Sequence, residues 1–261
     1  MILFQPKPSE YAAAAEYAAA AGLGFELTDF MFCPVLEDTD VCRRLIGKFR
    51  NAPVRALHGP FADLNFSGGD PEIQAVTEKR IVRCCECAAE LGVENIVLHS
   101  CFFPLMPPGD MLYQIWSENS AEMLTRLAER FSVVFCLENL LDITPDILVG
   151  MLKAAGGHPR IRACLDAGHA NLSRTSQTEW NRALSPWLSH FHLSDNGGMY
   201  DDHIAIGDGT VAWDQFFASL DPRGGSVDFT LEVTGLARVQ KSVAWLKANG
   251  YYDRLAGCEK A

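Results

Sequence analysis

The sequence predicts a repeat of strand and helix closed into a single (β/α)8 barrel. Three observations predict it. Short aliphatic or β-branched runs alternate with longer stretches of helical periodicity from one end of the chain to the other. Eight such pairs in 261 residues give about 33 residues per unit, the length of one barrel repeat. No Pro- or Gly-rich linker divides the chain, so 1–261 reads as one domain, with an open doubly wound sheet as the main rival.

The elements follow in order. A strand at 1–5 precedes an Ala-rich helix at 9–21, opened by Ser9 as a cap and stopped by Gly22. GFELT at 24–28 is followed by a helix at 37–50. PVRALH at 53–58 leads to a helix at 71–91, with Asp70 as cap, Pro71 in the first turn and Gly92 as the stop. ENIVLH at 94–99 pairs with 111–130, and SVVFCLE at 132–138 with 145–155. RIRACLD at 160–166 precedes 177–185, and LSHFHL at 188–193 precedes 213–220. VDFTLEV at 227–233 precedes 235–249, which Gly250 ends.

Composition narrows the function classes. The chain is 48% hydrophobic, enough for a sizeable core, and carries a formal net charge of −11. Such an acidic surface repels nucleic acid and anionic membrane unless bound cations change its sign locally. Nine scattered cysteines form no disulfide framework and suit reduced thiols in a cytoplasm. The N-terminal stretch lacks a basic region ahead of its apolar run, so no secretory signal is expected. No run of about 18 apolar residues predicts a membrane span.

In such a barrel the chemistry sits at the C-terminal ends of the strands. Here those ends carry His58, His99, Glu138, Asp166, His192 and Glu232. Taken singly, each is ordinary: a rim histidine is usually hydrogen-bonded and a strand carboxylate usually ion-paired. Together they are a set of metal ligands, because imidazole and carboxylate bind divalent ions such as zinc and manganese. Glu138 and Glu232 lie in apolar runs, where an uncompensated charge costs several kcal/mol. A shared cation compensates both. His169, three residues beyond Asp166 across small Ala167 and Gly168, and the pair Asp201 and His203 in the loop after the seventh strand extend the set. Asp202 reads as a solvated loop carboxylate.

The motifs HGPF, VLHS, LEN, LDAGHA, HLSDN, DDHIAIGDGTVAW and LEV occur in this order. Together they resemble the xylose-isomerase-like TIM-barrel superfamily, over about 58–233 and more loosely throughout. Its sugar-phosphate isomerase and epimerase branch implies one divalent ion (Zn, Mn, Mg or Co) held by Glu138, Asp166, His192 and Glu232. The resemblance also implies the reaction: Glu138 and Glu232 move a carbon-bound proton through a metal-stabilised enediolate. The endonuclease IV branch implies up to three zinc ions and nine ligands, adding His58, His99, His169, Asp201 and His203. A phosphodiester hydrolase acting on abasic DNA is therefore the alternative. The chain lacks the GAHVS-type opening of that branch, a Gly-rich run after Glu138, and a Lys/Arg-rich rim loop. The first reading is thus a metal-dependent sugar or sugar-phosphate isomerase or epimerase. Its expected partner is a small carbohydrate. Nucleic acid enters only under the alternative, no membrane is involved, and a homo-oligomer is left open.

Phe61 and Trp213 lie within the matched motifs as walls for a sugar face or as fillers between loop and barrel. Phe102, Phe103 and Trp116 are further aromatic candidates, and Arg174 and Arg223 are candidate phosphate partners. FSGGDP at 66–71 reads as a loop and helix cap. Cys84 and Cys87 are expected on a buried helix face, and His190, two before His192, in a layer beneath the ligands. His158 gets no role.

Overall fold

The eight apolar runs form eight strands in a computed structural model, which describes residues 1–66, 70–102, 107, 109–173, 175–221 and 227–257. They are β1 Ile2–Phe4, β2 Gly24–Leu27, β3 Val54–His58, β4 Asn95–His99, β5 Val134–Glu138, β6 Ile161–Asp166, β7 Leu188–Leu193 and β8 Asp228–Leu231. They hydrogen-bond in chain order into a closed barrel. Helices lie between the strands: α1 Tyr11–Ala21, α2 Cys33–Glu37, α3 Thr39–Phe49, α4 Pro71–Leu91, α5 Met111–Phe131, α6 Asp146–Ala154, α7 Ala167–Leu172, α8 Gln177–Leu184, α9 Trp213–Ser219, α10 Leu236–Ala248 and α11 Tyr252–Ala256. This is the (β/α)8 TIM barrel that the strand-helix alternation predicts.

Local chemistry sets the boundaries. Asp70 accepts from the Glu72 N–H at 2.8 Å, so α4 starts where the cap and Pro71 place it. Gly22 and Gly92 end α1 and α4 at φ 67° and 70°, a conformation that costs glycine little. The helix expected over 37–50 forms as α3, starting two residues later, and the short α2 ahead of it is unexpected. Asp38 accepts from the N–H groups of Asp40 and Val41 and caps α3 there, leaving α2 as a separate short turn. Ser9 caps nothing: it lies in a 3-10 turn, Pro8–Glu10, and α1 begins at Tyr11. The last strand ends at Leu231, so Glu232 sits just past it. The short α7 directly after β6 is unexpected, and Asp166 is its cap.

Two compact units partition the chain: 1–26 with 143–145 and 164–261, and 27–142 with 146–163. In the first, β1 pairs in parallel with β2 and β8, and β7 with β8, where His192 lies opposite Thr230. Side chains alternate across a strand. Between His190 and His192, Phe191 therefore turns the other way. It stacks on Phe229 at 5.0 Å and meets Phe216 edge-on at 5.7 Å. Burying such a ring is worth about 1.5–3 kcal/mol. In the second unit β4 pairs with β3 and β5, with His99 opposite Glu138. Ile81, Cys84, Leu124 and Leu127 of α4 and α5 are fully buried.

Candidate metal centre

In the first unit, alternation along β6 and β7 aims Asp166 and His192 from the strand ends to the same side. Asp166, His192 and Glu232 each offer a ligand atom within 4.8 Å of the others. His192 Nδ1 is 2.8 Å from Glu232 Oε2 and 4.0 Å from Asp166 Oδ2. Asp166 and His192 have no exposed side-chain surface, and Glu232 only 12%. Asp166 Oδ1 also accepts the His169 N–H at 2.5 Å, so the capping of α7 fixes the carboxylate. Gly168 permits this turn: a Cβ there would lie 2.5 Å from Ser194 Oγ and 3.2 Å from Asp166 Oδ1.

The orientation of His192 comes from below. Its Nε2 lies 3.1 Å from Glu26 Oε2. Glu26 is fully buried. Burial pushes its carboxyl up, but the positive field and hydrogen bonds of His192 and His190 outweigh this and hold it well below the usual carboxylate range. An ionised carboxylate only accepts, so Nε2 carries the hydrogen. The remaining nitrogen, Nδ1, is thereby directed at Glu232 Oε2. A neutral imidazole would set a lone pair against a carboxylate there. A proton or a divalent cation must lie between them, and the donor set fits a cation.

His203 repeats the pattern. Its Nδ1–H donates to the Glu232 carbonyl at 2.8 Å, leaving Nε2 facing Asp201 Oδ2 at 2.7 Å. Asp201 Oδ2 also meets His169 Nε2 at 3.2 Å. Burial opposes the His203 charge, but Asp201 and Glu232 prevail and raise its pKa to about 9. The same two histidines, against burial, hold the Asp201 carboxyl down. Asp202 is exposed and accepts the Gly197 N–H at 3.2 Å. The loop between β7 and α9 that carries these residues is fixed by Asp195, which is fully buried. Its carboxylate accepts the N–H groups of Asn196 and Val211 at 3.0 Å, Gly207 at 2.9 Å and the Trp213 indole at 2.8 Å.

In the second unit His58, His99 and Glu138 form a buried triple whose ligand atoms lie within 4.8 Å of one another. His58 Nε2 is 3.5 Å and His99 Nε2 3.1 Å from Glu138 Oε2. His58 Nδ1–H donates to the Gly59 carbonyl at 3.0 Å, so once more the inner nitrogen faces a carboxylate. Phe61, half-buried, lies 4.2 Å from the His99 ring and 5.6 Å from that of His58. The structure thus gathers Glu138 with His58 and His99 in one unit, and Asp166, His169, His192, Asp201, His203 and Glu232 in the other.

Trp213 is 5% exposed, stacks on Phe217 and braces the loop through Asp195. Phe102 and Trp116 pack on each other at 4.7 Å, and the Trp116 indole donates to the Ser100 carbonyl. Phe103, Arg174, Arg223 and 67–69 of FSGGDP lie outside the described residues. Cys84 and Cys87 are buried on α4, and burial raises both thiols, Cys87 to about 12. His190 sits beneath His192, with Nε2 2.8 Å from Glu26 Oε2. Cys164, His190 and His192 also lie within ligating reach of one another, yet both histidines turn Nε2 to Glu26. Sequence reasoning passed over Glu26, Gln5 and Asp195. Glu26, a lone acid in an apolar strand, carries the same signal that marks Glu138.

Among the described residues no helix is long and apolar enough to cross a membrane. Over 209 residues the chain is 26% identical to Uncharacterized protein MJ1311 of Methanocaldococcus jannaschii, covering 73% of this chain and 68% of that one. It is similar to the solved TTHB071 protein from Thermus thermophilus, soaked with zinc chloride, at 29% identity and TM-score 0.76, covering 95% and 96% of the two chains. A D-tagatose 3-epimerase-like protein shares the fold at TM-score 0.76 and 22% identity, over 98% of each chain. The family model described as Xylose isomerase-like TIM barrel matches residues 13–249. With that match over most of its length, and with the barrel its strands close, the chain belongs to the xylose isomerase-like TIM barrels.

Proposed function

We propose that this protein is a divalent-metal-dependent isomerase or epimerase of a sugar or sugar phosphate, built as a single domain and working in the cytoplasm. Glu138, Asp166, His192 and Glu232 would hold the ion. The observation that carries the reading is the orientation of His192: Glu26, beneath it, engages Nε2, and Nδ1 faces the carboxylates of Asp166 and Glu232. The similarity to a D-tagatose 3-epimerase-like protein and to a zinc-soaked relative supports the class of chemistry. Glu138 ends β5, the strand that precedes β6 in the barrel order, and would add its carboxylate to the set.

Bound there, a divalent cation would stabilise negative charge developing on the oxygens of a ketose. The protein's own groups would do the rest. One of Glu138 and Glu232 takes the proton from the carbon beside the carbonyl, and the other returns a proton to that carbon from the opposite face. Glu138 is buried and Glu232 nearly so, which would limit the water that competes for that proton. Phe61 would offer an apolar wall to the sugar.

The test is a panel of ketoses and ketose phosphates in D₂O with metal-loaded protein. Deuterium should enter the product at the carbon next to the carbonyl. Glu232→Gln removes a basic carboxylate, and turnover should fall about 10²–10⁴-fold. No deuterium in any sugar would refute the assignment. One observation favours a second reading: the histidines beyond the four also turn ring nitrogens on carboxylates, His58 and His99 on Glu138, His169 and His203 on Asp201. These could hold further ions for a phosphodiester hydrolase. Cleavage of abasic-site DNA, with more than one ion per chain, would select it.

A further inference from the structure

Glu26 is the meeting point of donors from three other strands or strand ends. Its Oε2 lies 2.8 Å from His190 Nε2, 3.1 Å from His192 Nε2 and 2.8 Å from Thr230 Oγ1, and its Oε1 accepts the Gln5 amide at 2.9 Å. The same Gln5 nitrogen has a second hydrogen, and it donates to Glu232 Oε1 at 2.9 Å. A bland ion pair would need one histidine. Here one buried carboxylate reaches two of the groups assigned to the cation: His192 directly, and Glu232 through Gln5.

We propose that Glu26 is a positioning residue for the cation site, fixing the ring nitrogen that His192 presents and, through Gln5, the rotamer of Glu232. The inference rests on the metal-centre reading and deepens it. The physical argument is one of hydrogen count. A carboxylate can accept every donor that converges on it and has none of its own to place. With Glu26 in place, His192 must put its hydrogen on Nε2, and Nδ1 is the only nitrogen left for Asp166 and Glu232. Gln5 must use its amide nitrogen for both carboxylates, which leaves Glu232 Oε2 turned toward His192. An amide at position 26 would bring two hydrogens of its own among four donors. Turned to Gln5, its NH₂ group would break the relay to Glu232; turned to His190, His192 and Thr230, it would release the His192 tautomer. Partners that orient ligating histidines in this way typically contribute 10–100-fold in metal affinity.

The experiment compares Co²⁺ affinity, by chelator competition read in the visible spectrum, for the full-length protein and three variants. Glu26→Gln should raise the Kd about 10–100-fold. Gln5→Met breaks only the relay and should raise it several-fold. Leu246→Ala, a buried residue of α10, should lower the melting temperature and leave the Kd within about twofold, which separates positioning from general stability. If Glu26→Gln binds Co²⁺ as tightly as the wild type, the positioning role is wrong and the metal centre stands. If the wild type binds no Co²⁺, the metal centre itself fails and this inference with it. Should Glu26→Gln not fold, Gln5→Met decides: an unchanged Kd overturns the proposal.

Discussion

Asp195→Asn is a near-isosteric change whose cost can be worked from the structure. The wild-type carboxylate accepts four hydrogens, two on each oxygen: Asn196 and Val211 on Oδ1, Gly207 and the Trp213 indole on Oδ2. An asparagine replaces one oxygen with an NH₂ group. Whichever way it turns, two donors then face another donor: the buried Asn196 and Val211 N–H groups on one side, or the buried Trp213 indole and the part-buried Gly207 N–H on the other. A buried polar group left without a partner costs about 1–3 kcal/mol, so the variant should lose about 2–6 kcal/mol. In a chain of this size 1 kcal/mol shifts the melting temperature by about 2–4 °C. Thermal unfolding followed by circular dichroism should therefore show a fall of at least about 4 °C. Amide exchange should also speed up at Val211 or at Gly207, whichever lies on the side that the NH₂ group takes. A melting temperature within about 2 °C of the wild type, with both amides still protected, would refute the claim that this carboxylate organises the loop bearing Asp201 and His203.

Gly168→Ala places a methyl 2.5 Å from Ser194 Oγ and 3.2 Å from Asp166 Oδ1; overpacking of this kind costs about 1–3 kcal/mol, and metal titration should show weaker binding because Asp166 must give way. Saturation with Mn²⁺ at about 100 times its Kd should add about 2.7 kcal/mol of stability and raise the melting temperature by about 5–10 °C, a gain that a chelator reverses and Asp166→Asn abolishes. The buried thiols of α4, with Cys85 and Cys87 pushed up to about 12, should resist iodoacetamide at pH 8 in the native state; mass spectrometry showing rapid labelling of either would contradict their burial.

The barrel and much of the candidate site are legible in the sequence because both follow from strand alternation. His58, His99, Glu138 and Asp166 each end an apolar run, and an ionisable group at the end of such a run stands out against it. Glu26 carries the signal of an acid in an apolar run, but it lies inside a strand of only four residues rather than at its end. Its meaning comes from His190 and His192, more than 160 positions away, and only folding shows that. The role of Asp195 is hidden in the same way: its partners are three backbone amides and an indole, and amides leave no signature in a sequence. The break at Asp38 is a local contest, in which a carboxylate capping two amides outweighs continuation of the helix. Trp213 reads equally as a sugar-facing ring or a loop brace until Phe217 and Asp195 are seen on it.

The central claim is that Glu138, Asp166, His192 and Glu232 share one divalent ion. A crystal structure of the full-length protein loaded with zinc or manganese, with anomalous data collected at the metal edge, tests it most directly. The account predicts an anomalous peak with Glu138, Asp166 and Glu232 oxygens and His192 Nδ1 at about 2.0–2.2 Å, and His192 Nε2 still on Glu26. A peak held by other residues, or none among these four at saturating metal, would contradict it.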